Sequence, residues 1–325
     1  MTARTRSDLN MRTLDPQAKA LLDTIAASDA PSYHTLSAVE ARKTYKETRR
    51  FTQPAAPPDV AVVEDRQIPG ADGSIRVRHY RPAGSRPDDV LPALVYFHGG
   101  GFTIGDLDTH DTLCRSLANQ ARCVVVSVDY RMGPEHKFPA AVHDCVAATR
   151  WVFSQAAALH IDAQRIAVGG DSAGANLATV TSMILRDDGD PAPRFQLLFY
   201  PPTDMSQFTT PSHIELAEGH LLTRDVMTYF RANYAHEDDW RDWRVSPIFA
   251  TRLQGLPPAY LMTAGFDPLR DEGHAYAEAM RAAGVPVEYE CFDGMIHGFI
   301  TMGGVIDKAN EAVSRAAAVL GRALV

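Results

Sequence analysis

From about Val60 onward, short apolar runs alternate with longer stretches whose apolar residues recur at helical spacing. This alternation constrains the fold more than any other feature. Strands are expected at 61–68, 75–80, 93–97, 123–128, 165–168, 196–200, 259–264 and 287–291. Several of them, such as LVYF, CVVVSV and AYLMTA, are continuously apolar, which suits strands covered by helices on both faces. Helical patterns fall at 110–120, 139–158, 173–186, 224–234, 271–283 and 305–324, and Gly284 is placed to close the 271–283 helix. Strand-helix alternation predicts an α/β fold with a mostly parallel sheet. The first two strands have no helix between them and are expected as an antiparallel pair at one edge.

Two regions break the alternation. Residues 1–50 read as two polar-amphipathic helices split near Pro31, followed by a linker, TQPAAPP, at 52–58. Residues 204–250 are rich in aromatic and charged side chains, and an excursion of that length between two strands needs structure of its own. The expected organisation is an N-terminal helical cap segment at 1–50 and a core at 51–325, with a second cap segment inserted at about 204–250. Both segments would cover the C-terminal ends of the strands, where open α/β sheets bind ligands.

At 325 residues, 45% hydrophobic and 22% charged, the chain has material for one large core. A net charge of −8 argues against nucleic acid or an anionic membrane surface as the main partner. The four cysteines, Cys114, Cys123, Cys145 and Cys291, form no C-x-x-C pair and read as reduced thiols. Residues 1–19 lack the apolar run of a secretory signal, and no run is long enough to span a bilayer. A cytoplasmic protein without stable membrane insertion is expected.

Chemistry concentrates in a few motifs. Gly170-Asp171-Ser172-Ala173-Gly174 follows the strand-like RIAVGG and precedes the helical ANLATVTSMILR. That is the strand-turn-helix setting of a nucleophile elbow, although a tight turn with a capping serine fits the same residues. His98-Gly99-Gly100-Gly101-Phe102 follows the strand ALVYF. Acyl transfer needs N–H donors aimed at a developing oxyanion, and an HGGG loop supplies them beside the residue after the nucleophile. The donors would be Gly100, Gly101 and Ala173.

A serine nucleophile needs a base, and the base an orienting acid. Asp267 follows the strand AYLMTA, and His297 follows VEYEC. The order Ser172, Asp267, His297 is that of α/β-hydrolases. Asp271, Glu272 and Asp293 compete for the acid role, and His274 for the base, although Asp271 is better placed to start a helix and His274 to lie within one.

Rival motifs are weaker. Gly99-x-Gly101-x-x-x-Gly105, with Asp129 ending the next strand, approaches a dinucleotide fingerprint but leaves Ser172 and its partners unexplained. Asp106-Leu-Asp108-Thr-His110-Asp111 lacks the further histidine or cysteine of a defined metal site. A Walker A reading fails because Ala175 stands where lysine belongs. No metal and no cofactor are expected.

With these residues in place, the sequence resembles the hormone-sensitive-lipase family of α/β-hydrolase esterases, in its bacterial branch (family IV). The matching stretches are HGGGF (98–102), DYRMGPEHKFPAA (129–141), GDSAGAN (170–176), DPLRDEG (267–273) and HGF (297–299). Met132-Gly133 and Ala175 depart from the common pattern. The resemblance implies an eight-stranded, mainly parallel sheet with a helical cap. It implies Ser172 as nucleophile, Asp267 as acid, His297 as base, and Gly100, Gly101 and Ala173 as the oxyanion hole.

The activity it implies is cofactor-free hydrolysis of short- to medium-chain acyl esters through an acyl-enzyme. An amidase or acyltransferase would use the same triad. Plant gibberellin receptors of this family are binding modules that have lost the histidine, which is present here as His297. The expected partner is a small-molecule ester. Many members are dimers, and the strand at 287–291 could pair across a homodimer or be covered. Tyr33, Phe208, Trp240 and Trp243 are candidates for lining the pocket.

Overall fold

A computed structural model describes residues 12–325, so residues 1–11 of the expected N-terminal segment lie outside the described residues. Eight strands form one sheet in the order β1-β2-β4-β3-β5-β6-β7-β8. They are β1 (Val62–Pro69), β2 (Ser74–Arg81), β3 (Leu91–Phe97), β4 (Val124–Asp129), β5 (Ile161–Asp171), β6 (Gln196–Phe199), β7 (Ala259–Phe266) and β8 (Val287–Ile296). Strand β2 pairs antiparallel with both β1 and β4, and every other pairing is parallel. The antiparallel edge falls where two strands without a helix between them predict it.

The helices are α1 (Pro16–Ala26), α2 (Ala38–Thr52), α3 (Asp111–Ala121), α4 (Ala140–Ser154), α5 (Ala173–Asp188), α6 (Pro211–Glu215), α7 (Arg224–Tyr234), α8 (Arg270–Ala282) and α9 (Asp307–Ala323). The first two start on side-chain caps. Asp15 accepts from the N–H groups of Gln17 and Ala18 ahead of α1, and Ser37 and Glu40 form a capping box on α2. Gly284 stands at φ +80° just past α8, as its expected role as a helix stop requires.

The sheet is covered on both faces. Along β3, Ala93, Val95 and Phe97 join a core with α4, α5 and α8, while Leu94 and Tyr96 join a core with α3 and α9. That period of two, with both sides buried, explains why the strand reads as continuously apolar.

The turns beyond β3, β5, β7 and β8 carry the motifs. The 204–250 stretch contains α6, α7 and short turns of 3-10 helix.

Helix α2 reaches these turns through basic side chains on one face. Arg42 donates to the carbonyls of Thr103 and Gly133 and forks onto Glu135. Lys46 bonds Asp106 and Asp108, and Arg49 bonds Thr301.

Candidate active site

Strand β5 ends at Asp171, and α5 begins at Ala173. Ser172 alone makes the turn, at φ 51° and ψ −120°, a region that non-glycine residues rarely occupy. The strain is held by its surroundings. Ser172 donates its N–H to the Phe199 carbonyl, and its own carbonyl accepts from Ala175 and Asn176. Gly174 is needed because a Cβ there would run into the Phe97 carbonyl.

His297 directly follows β8, and its Nε2 lies 2.9 Å from Ser172 Oγ. Its Nδ1 lies 2.7 Å from Asp267 Oδ2. Asp267 is fully buried one residue past β7, and its other oxygen accepts from the Leu269 N–H at 2.9 Å. With Asp267 ionised, the bonding pattern assigns the imidazole proton to Nδ1 and leaves Nε2 to accept from the serine hydroxyl.

The competing acids are engaged elsewhere. Asp271 binds the Ser212 N–H and Arg270, and Asp293 pairs with Arg12. Glu272 binds the Thr203 and Asp204 N–H groups. His274 lies in α8, 4.0 Å from Glu278.

The glycine loop after β3 faces the same turn. Gly100 has φ +127° and Gly101 φ +58°, and the Gly100 carbonyl accepts from Thr103 and Ile104 to close the loop. A Cβ on Gly101 would strike the Phe230 ring. Among the described residues, the N–H groups of Gly100, Gly101 and Ala173 donate to no protein acceptor.

Residues 94–301 match the alpha/beta hydrolase fold family. Carboxylesterase NlhH of Mycobacterium tuberculosis is 43% identical over 320 residues, spanning 96% of each protein. An ethyl acetate hydrolase of Pseudomonas putida is 38% identical over 92% of this chain and 96% of its own. Among solved structures, a metagenomic ester-hydrolase from Lake Arreo superposes with a TM-score of 0.92 at 43% identity, covering 95% of this chain and 99% of that one. The chain belongs to the hormone-sensitive-lipase family of α/β-hydrolases.

In this hydrolase one carboxylate ties the serine turn to the glycine loop. Asp171 Oδ1 accepts from the Tyr96 hydroxyl at 2.7 Å and from the Gly99 N–H at 2.9 Å. His110 Nε2 lies 3.3 Å from the same carboxylate. Burial raises its pKa, but the His110 ring and these hydrogen bonds outweigh burial and hold it below the ordinary aspartate range. Sequence reasoning gave Asp171 no role beyond its place in the motif. A carboxylate directly after the small apolar run at 166–170 is the signal that could have found it.

The residues of the rival motifs are also tied up. Asp129 is held by Arg76 at 2.9 Å, while Asp108 and Asp111 pair with Arg78. Among the described residues, no three His, Cys, Asp or Glu side chains gather as a metal site.

A cleft of about 450 Å³, including its open mouth, leads away from Ser172. Its wall is largely apolar, with Phe102, Met205, Phe208, Met227, Phe230 and Leu269 prominent. Of the four aromatic residues expected to line the pocket, only Phe208 does so. Tyr33 packs with Tyr45 and Ile104, and Trp240 and Trp243 pack against the main core. Aromatic character marks these side chains as buried, but which surface each covers depends on how 204–250 folds.

Proposed function

We propose that this carboxylic ester hydrolase works through Ser172, with His297 as general base and Asp267 as the acid that orients it. The observation that carries the reading is His297, with one nitrogen 2.9 Å from Ser172 Oγ and the other 2.7 Å from Asp267. His297 takes the hydroxyl proton as Ser172 Oγ attacks the ester carbonyl. Asp267 keeps the proton on Nδ1 and stabilises the imidazolium.

The tetrahedral oxyanion is received by the N–H groups of Gly100, Gly101 and Ala173. His297 then protonates the departing alcohol, leaving an acyl-enzyme. It next activates the water that releases the acid.

The substrate is a small ester with a short to medium acyl chain. The largely apolar wall of the cleft beside Ser172, with Phe102, Met205, Phe208 and Phe230, supports an acyl chain there. Residues 12–50 and 204–250 act as the cap, a role supported by Phe230 of α7, which packs against the cluster of Ala41, Tyr45 and Ile104 and also borders the cleft. Among the described residues no helix is long and apolar enough to cross a membrane. We also propose a cytoplasmic location, and a homodimer for which β8, the edge strand of the sheet, is the candidate contact.

The test is hydrolysis of p-nitrophenyl esters from acetyl to dodecanoyl by wild type and Ser172→Ala in parallel. A rate that peaks at short chains and vanishes in the variant is expected. Near-normal activity in folded Ser172→Ala would overturn the assignment.

A further inference from the structure

The cleft beside Ser172 contains a cation without a counter-ion. Arg231, on α7, borders it together with Phe208 and Met205. Its guanidinium carbon lies 4.4 Å from the centre of the Phe208 ring and 3.7 Å from that of Trp240. Two aromatic faces stabilise the charge without occupying the N–H donors in the guanidinium plane.

Nη1 donates to the Met205 carbonyl at 3.0 Å. Nε is buried with no hydrogen-bond partner. Among the described residues no carboxylate lies within ion-pairing distance of Arg231, whereas Arg42, Arg131 and Arg270 each have one. Burial lowers its pKa, and Glu237, in an exposed turn, opposes this only at longer range.

Two carboxyl groups also border the cleft, and both have other partners. Asp204 accepts from the N–H and hydroxyl of Ser206. Glu272 binds the Thr203 and Asp204 N–H groups and lies 2.9 Å from His213 Nε2, and burial pushes its carboxyl toward the neutral form. Arg231 is therefore the charged group of this apolar wall that keeps a buried donor without an acceptor. A planar guanidinium with free donors matches a carboxylate, which can accept two parallel hydrogen bonds.

We propose that Arg231 recognises a carboxylate at the end of the substrate remote from the scissile ester, so that the cleft accepts half-esters of dicarboxylic acids. The inference rests on the hydrolytic reading of Ser172 and adds a substrate class to it.

The experiment compares monoethyl adipate, pimelate and suberate with ethyl esters of monocarboxylic acids of matched length, followed by pH-stat. In Arg231→Met the half-ester to neutral-ester ratio of kcat/KM is expected to fall about tenfold or more, mainly through KM, as loss of a hydrogen-bonded charge predicts. Arg231→Lys keeps the charge without the fork and should give an intermediate ratio. A merely structural role would alter both ester series together. An unchanged ratio in folded Arg231→Met would overturn the proposal, and should that variant not fold, an unchanged ratio in Arg231→Lys would do the same.

Calorimetric binding of monoethyl adipate to Ser172→Ala and to the Ser172→Ala/Arg231→Met double variant needs no turnover. Weaker binding to the double variant is expected, and equal binding would overturn the role of Arg231. If wild type hydrolysed neither series, the hydrolytic reading would fail, and this binding comparison would still decide whether Arg231 holds a carboxylate.

Discussion

The two nitrogens of His297 face different partners, and substitutions around them should have unequal effects. Ser172→Ala is expected to lower kcat by a factor on the order of 10⁶. Asp267→Asn keeps the shape but favours the wrong imidazole tautomer, and a loss of about 10⁴ is expected. Single-turnover kinetics on the two folded variants would check this ranking. Equal losses would mean that Asp267 does more than orient the ring.

At Gly101, a methyl group meets both the Phe230 ring and a backbone at φ +58°. Gly101→Ala should therefore reduce kcat by about 10²–10³, the usual effect of losing one oxyanion donor. Burst kinetics would show whether acylation is the step affected. Ser172, Asp267 and His297 could be found in the sequence because each follows a strand and their order carries meaning. The bonds of Asp171 could not, because Tyr96, Gly99 and His110 lie 61 to 75 residues away along the chain.

Among the elements, α2 is set apart by the spacing of Arg42, Lys46 and Arg49, three and four residues apart on one helical face. Glu135 is pulled down to about 2 by its hydrogen bonds with Arg42, against some desolvation. A lowered carboxylate stabilises the docked helix above the ordinary glutamate range, and that contribution is lost as pH falls through about 2. Hydrogen exchange at pH 3 should therefore find the α2 amides still protected in wild type and less protected in Arg42→Ala. Equal protection would mean that Lys46, Arg49 and the apolar contacts of Ala41 and Tyr45 hold the helix without Arg42.

Eight strands and the longer helices could be read from the sequence, since periodicity persists over their length. β5 begins earlier than expected, through a stretch containing the polar Asp162 and Gln164, and β8 runs on through Gly294 to Ile296. Those ends are fixed by pairing with neighbours, including the register shift between Ala264 and Phe266, and not by local pattern. The five-residue α6 is too short to leave a periodic signal.

At the scale of the whole molecule, His79 sets an acid limit. It lies buried in β2, its ring nitrogens without partners among the described residues, and burial lowers its pKa to about 4. The unfolded imidazole titrates near its ordinary value, so unfolding takes up a proton below that pH. Stability is complete above about 6.5 and falls by up to about 3 kcal/mol as pH drops through 4. Urea unfolding at pH 7 and pH 4 should show a smaller drop for His79→Leu than for wild type. Identical drops would place the acid sensitivity elsewhere.

The sheet order and the contents of the cleft arise only when distant segments meet, so neither was legible in the sequence. Most of the cleft wall nevertheless comes from one stretch, 202–231, lying between β6 and β7, while Ser172, Asp267 and His297 come from other turns. The part that selects a substrate can thus be inherited separately from the part that transforms it. Exchanging this one cassette between relatives should transplant a preference while the proposed reacting side chains stay in their own turns.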